Sequence, residues 1–150
     1  GRMAIVADYN SNAEADLRSE AECFPTIDPG VEISGDRVLV QLRRQKTKSR
    51  GGIFLVEETT QTLKFNETVA KVVQIGPLAY KSPDTLEPWP EGNWCEVGDL
   101  VRTIKYGGDR YVVDAEDGEG AVIFITLQAR EIISKIKSFE FAQKMKSFVD

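Results

Sequence analysis

Three large apolar side chains stand in a row at Ile53, Phe54 and Leu55, directly after Gly51-Gly52 and between the polar stretches 45–50 and 57–62. Their chemistry is burial of hydrocarbon rather than bond making. Read alone, they are either a short strand after a glycine turn or the sticky tip of a flexible loop that orders on binding. The other reactive side chains are few. The sequence contains no histidine, which removes Ser-His-Asp and Cys-His nucleophiles, the HExxH zinc site and most transition-metal sites. Cys23 and Cys95 lack CxxC spacing and are too few for a disulfide framework, so they read as free thiols in a reducing compartment. Asp109, Asp114, Glu116 and Asp117 read as a solvated acidic loop. The expectation is a protein that is not an enzyme and carries no metal or cofactor.

Charge narrows the partners. The net charge is −5, which argues against a nucleic-acid binder. The chain is acidic before residue 36 and from 51 to 134, but residues 36–50 carry six basic groups and one acidic group. Arg43, Arg44, Lys46, Lys48 and Arg50 therefore read as a solvated loop arm. No apolar run reaches the ~18 residues of a membrane span, and no signal peptide is legible. Gly1 and Arg2 ahead of Met3 read as a cloning remnant, and the expected location is cytoplasmic.

At 150 residues, with 41% hydrophobic and 29% charged content, the chain can bury one core and still carry appendages. Ala13, Leu17, Ala21 and Phe24 share a thin helical stripe, and Ser11 with Glu14 has the form of a capping box. Pro25 and Pro29-Gly30 punctuate the boundary with the body. Short apolar runs follow at 38–42, 68–75, 100–104, 110–113 and 121–125, separated by turn signals such as Gly35-Asp36, Gly76-Pro77 and Gly107-Gly108. That spacing predicts an all-β fold, a small barrel or sandwich. Residues 131–137 fit strand or helix, and Phe141, Met145, Phe148 and Val149 share the apolar face of a tail helix.

Taken in order, several of these segments form a set. Gly35-Asp36-Arg37-Val38-Leu39-Val40, the arm with Lys46-Thr47-Lys48-Ser49, and Gly51-Gly52-Ile53-Phe54-Leu55 resemble the GroES-type co-chaperonins. The likeness continues through residues 69–76 and 96–101, and then from Tyr106-Gly107 to Glu131-Ile132-Ile133. It implies a partly open, Greek-key-like β-barrel over residues 35–137 that assembles as a homoheptameric lid on a chaperonin of the GroEL type. It also implies a mobile loop at about 45–66, with Ile53, Phe54 and Leu55 as the chaperonin-binding anchors and Gly51 and Gly52 permitting the turn that presents them. Nucleotide would sit on the chaperonin, and unfolded proteins would be the clients.

Residues 1–34 and the helical tail 138–150 have no counterpart in the family pattern, and 77–97 occupies the place of its roof hairpin without matching it in detail. Val31 and Ile33 are the expected N-terminal partner for the closing strand at 131–137, across a subunit boundary. Tyr80, Trp89 and Trp94 either face the folding chamber or pack the barrel's edge. Such enlarged members resemble those of tailed bacteriophages, which implies a capsid protein as client in the host cytoplasm. The alternative is a structural ring or particle-assembly protein that uses the same barrel without binding a chaperonin. The related barrel of zinc alcohol dehydrogenases is a poor fit, because histidine and a dinucleotide-binding domain are both missing.

Overall fold

A computed structural model describes residues 18–44, 67–116 and 120–146. Six strands form one antiparallel sheet: β1 (Arg37–Leu42), β2 (Val69–Ile75), β3 (Leu100–Thr103), β4 (Asp109–Asp114), β5 (Ala121–Gln128) and β6 (Ile132–Lys135). Their spatial order is β4-β5-β1-β2-β3-β6. Strands β1 to β3 form a meander, and β5 returns to pair with β1, which is the Greek-key move. Among the described residues β4 and β6 are the two edges of an open sheet. The all-β fold expected from turn spacing is therefore the fold observed.

The central strand explains its own sequence. Residues 38–42 are buried without interruption, as expected of a strand covered on both faces rather than one. Val38, Val40 and Leu42 enter the main core with Val72, Val101, Ile125 and Leu127. Leu39 points the other way, to Val122 and Phe124, where Ile27 and Ile33 of the leader cover it. The leader is fastened there by polar contacts. Gln41 Nε2 donates to the Pro25 carbonyl (2.9 Å), Tyr111 Oη to the Pro29 carbonyl (2.7 Å), and the Ile33 amide to Gln74 Oε1 (2.9 Å). Within this chain, then, Val31 and Ile33 meet β2 through Gln74 rather than β6.

A shift of register between Leu39/Val40 and Gln74/Val72 puts a bulge in the β1–β2 ladder, and bulges bend the sheet locally. At the end of β2, Gly76 approaches the start of β1 so closely that a Cβ would collide with the Gly35 carbonyl oxygen. Only glycine fits that crossing. Gly108 opens β4 at φ +76 with Ile125 and the Thr126 carbonyl against it, so both its conformation and its space exclude a side chain.

Residues 77–97 cap the main core. A bridge pairs Lys81 with Pro88 and makes a short hairpin. Tyr80, Trp89 and Trp94 cluster with ring centroids 5.3–5.5 Å apart, and Tyr80 is 1% exposed. Tyr80 is part of the main core, and Trp89 and Trp94 are partly buried against it. The Tyr80 hydroxyl donates to the Ala129 carbonyl (2.8 Å) and lies 3.6 Å from Cys95 Sγ.

Two consequences follow for titration. Burial pushes the Tyr80 phenol well above its ordinary range, helped by Cys95. Above about pH 10 the unfolded chain gives up this proton and the folded chain keeps it. The stability that neutral Tyr80 contributes is complete below that pH and is lost as pH rises. Alkaline urea titrations should show stability falling by up to ~1.4 kcal/mol per pH unit from this group, and Tyr80→Phe should remove that slope. Burial also pushes the Cys95 thiol up; the Tyr80 hydrogen bond opposes this, while the Asp99 and Glu96 charges add to it. Cys23 and Cys95 are both buried thiols. Neither should react with an aromatic disulfide reagent near pH 8 until urea unfolds the chain, a result readable by absorbance.

The two short helices differ from their expected form. α1 (Glu20–Cys23) has its capping box at Ser19 and Glu22, while Ser11, Glu14, Ala13 and Leu17 lie outside the described residues. Ala21 is exposed, and it is Cys23 and Phe24 that are buried. α2 (Phe139–Lys144) buries Ala142 with Phe139 and Met145 packed beside it, whereas Phe141 is 49% exposed. The expected apolar face is thus rotated: docking on the sheet selects the i, i+3, i+6 row. Phe148 and Val149 lie outside the described residues. Residues 131–137 resolve as a short 3₁₀ turn (Ala129–Glu131) leading into β6.

Candidate functional site

The expected anchors Gly51, Gly52, Ile53, Phe54 and Leu55 lie outside the described residues, as does the whole of 45–66. What the fold does define is where that segment departs and returns. β1 ends at Leu42 and β2 begins at Val69, and the two are direct ladder neighbours. The Arg43 amide continues the ladder by donating to the Val69 carbonyl at 2.9 Å. The chain therefore leaves β1 and enters β2 side by side, and residues 45–66, an excursion in sequence, join those two points.

The root of that excursion is polar and buried. Arg43 Nε donates to Glu67 Oε1 at 2.5 Å and Nη2 to Oε2 at 3.2 Å, a fork-to-fork pair. Glu67 Oε2 also accepts from the Thr68 and Val69 amides at 3.0 and 3.2 Å. Both side chains are under 10% exposed. The other face of the guanidinium reaches the end of α2, donating from Nη1 to the Ala142 carbonyl and from Nη2 to the Met145 carbonyl, each at 2.7 Å. Carbonyls at a helix C-terminus carry partial negative charge, so a cation is well placed there even though the Ala142 carbonyl also accepts from the Met145 amide (3.0 Å). Arg44 is buried as well; its amide donates to the Cys23 carbonyl (2.8 Å), and its own carbonyl accepts from Arg18 Nη1 (2.6 Å).

This corrects the reading of the basic run. Lys46, Lys48 and Arg50 lie outside the described residues, but Arg43 and Arg44 are not part of a solvated arm. Five basic residues in eight positions look like one charged tract, and nothing local distinguishes the first two. Their partners are Glu67 and the tail carbonyls, far along the chain. The one legible signal was that Arg43 directly follows a buried strand while Glu67 stands two residues ahead of its neighbour.

Asp109, Asp114 and Glu116 are exposed, but Asp109 and Asp114 are the two end residues of β4 rather than part of a loop; Asp117 lies outside the described residues. Among the described residues no helix is long and apolar enough to cross a membrane.

Fold and root together define an antiparallel all-β domain in which residues 45–66 connect the adjacent strands β1 and β2. Residues 31–136 match the family model described as "Chaperonin 10 Kd subunit". Co-chaperonin GroES of Chlamydia pneumoniae is 30% identical over 103 residues, covering 69% of this chain and 87% of that protein. Co-chaperonin GroES of Chlamydia trachomatis serovar L2 has the same identity and coverage, and that of Chlamydia caviae is 28% identical over 103 residues. The chain belongs to the chaperonin 10 kDa subunit family, the GroES-type co-chaperonins. The match leaves out the residues before 31 and after 136, and these supply Arg18, Cys23 and α2 to the root of the excursion.

Proposed function

We propose that this chain is a co-chaperonin that forms a ring-shaped lid on a GroEL-type chaperonin and assists nucleotide-dependent folding in the cytoplasm. The observation that carries the reading is the excursion 45–66 leaving adjacent strands of a family-typical sheet, with Gly51-Gly52-Ile53-Phe54-Leu55 near its centre. In this reading that segment is a mobile loop, and the three apolar side chains dock on the chaperonin. Burying them would release roughly 5–9 kcal/mol gross, at ~1.5–3 each. Ordering the loop would take back about 2–5 kcal/mol. One arm alone then binds weakly, and several arms on a ring bind by avidity while each can still let go.

A homoheptameric ring is part of the proposal. Edge strands invite pairing with another chain, and a closed ring of like subunits satisfies such edges by symmetry. Ile133 on the edge strand β6 is 60% exposed, which suits a subunit contact. Clients would be unfolded proteins, with a capsid protein the natural one for a phage-encoded member; that origin rests on the added segments at both ends of the chain.

Co-sedimentation with a bacterial chaperonin, with and without ADP or ATP, tests the function, and native mass spectrometry counts the subunits. Nucleotide-dependent capture is expected. A stable ring with no capture under either condition would instead favour the structural-ring reading.

A further inference from the structure

The segments that the family match leaves out converge on one place. Three hydrogen bonds link them in a circuit: Arg18 Nη1 donates to the Arg44 carbonyl (2.6 Å), Gln143 Nε2 to the Arg18 carbonyl (2.9 Å), and Arg43 Nη2 to the Met145 carbonyl (2.7 Å). The circuit starts and ends at Arg43 and Arg44, just ahead of segment 45–66, and through Glu67 it takes in the residue just after that segment as well. Beneath it lies a small apolar core of its own. Cys23 and Phe24 from the leader and Ala142 from α2 are buried with Val69, Leu100 and Ile136. On the outer side Lys71 Nζ pairs with Glu20 Oε2 at 2.8 Å.

We infer that the leader residues 18–24 and the tail helix α2 act together as a brace that positions the root of segment 45–66, with Arg43 as the positioning residue that ties both ends to it. α2 has six residues, too few to hold helical form in water unaided. It exists because Ser138 caps it, with Oγ accepting from the Phe141 amide at 3.4 Å, and because Ala142 and Met145 dock. In return its last carbonyls occupy one face of the Arg43 guanidinium. The other face holds Glu67, so departure and return of the excursion become one rigid unit. A root held in one geometry leaves less freedom to lose when an arm docks, and pre-organisation of this kind strengthens binding without adding a contact. The effect on docking rests on the co-chaperonin reading; the effect on the root does not.

The test uses the full chain with Ala142→Pro, which removes the Ala142 amide that bonds the Ser138 carbonyl at 3.1 Å, and with Gln143→Ala, which cuts the link to Arg18 while favouring helix. Hydrogen exchange is read at the Arg44, Thr68 and Val69 amides, with Val40 and Ile125 as internal controls in the central ladder. The expected result for Ala142→Pro is root exchange faster by about tenfold or more with the controls unchanged, and ADP-dependent affinity for a bacterial chaperonin weaker by about tenfold. Gln143→Ala should move both in the same direction by less. Root amides that keep their protection in Ala142→Pro would overturn the brace. Fast root exchange with unchanged affinity would overturn the positioning role. Should Ala142→Pro fail to fold, Gln143→Ala decides by the same two readings. If the wild-type chain is not captured at all, the co-chaperonin reading fails, while the exchange measurement still decides the brace.

Discussion

Replacing Phe54 by alanine is expected to abolish nucleotide-dependent capture by a chaperonin while leaving the thermal unfolding of the sheet where it was. Phe54 is the largest of the three proposed anchors, and losing its burial would remove roughly 1.5–3 kcal/mol per arm, or about 10- to 150-fold in single-arm affinity. In a ring every arm carries the same lesion. Because avidity compounds the single-arm affinities, a loss of that size in each arm removes the complex from the measurable range. Ile53→Ala and Leu55→Ala should weaken capture by comparable factors per arm. The decisive comparison pairs co-sedimentation with a melting curve. A Phe54→Ala protein that no longer unfolds cooperatively would make Phe54 a core residue and defeat the loop reading. One that is still captured normally would remove Phe54 from the docking surface.

The second large effect is expected at the Arg43–Glu67 pair. Both side chains are under 10% exposed, and each satisfies the other together with backbone groups around it. Removing one partner leaves a buried charge and orphaned backbone groups, which costs about 3–5 kcal/mol. For a chain of this size that is a fall in Tm on the order of 10 °C. Glu67→Ala and Arg43→Met should each show it in urea titrations. The double variant Arg43→Met/Glu67→Leu should recover the part of the loss due to the unpaired charge, but not the part due to the backbone groups that the pair also bonds. A single variant costing less than about 1 kcal/mol would mean that the pair behaves as a solvated surface bridge.

The two experiments separate two kinds of residue on one connection. In the proposed reading Phe54 belongs to what the connection offers a partner, whereas Arg43 and Glu67 belong to how the sheet holds its two ends. A lid that captures and releases needs arms of modest affinity. Their strength is set both by the anchors and by how much freedom the root leaves to be lost on docking. The brace formed by α1, α2 and the Arg43 fork acts on the second of these quantities.

Much of the sheet was legible because its signals are local. The apolar runs at 38–42 and 121–125 became β1 and β5, Gly76 closes β2 where no side chain fits, and Gly107-Gly108 opens β4. The apolar residues Val38, Leu39, Val40 and Leu42 of β1 read as a strand, and the structure buries it on both faces. The tail helix was legible as a helix but not in its rotation. Phe141 is the larger apolar group, yet the sheet accepts the row through Phe139, Ala142 and Met145 because Ala142 allows the close approach.

The root of the excursion was illegible for a different reason. Arg43 meets Glu67 twenty-four positions away and Ala142 ninety-nine positions away, and no periodicity encodes such distances. A charged residue beside other charged residues reads as solvated, since an unpaired charge is not buried. The sequence by itself determined the strands, the turns that order them and the apolar triplet set apart on one connection, all of which follow from backbone sterics and side-chain alternation. Only the tertiary structure decided that two arginines of a basic run are interior, because burying a charge becomes possible only when folding brings its acceptors to it from elsewhere in the chain.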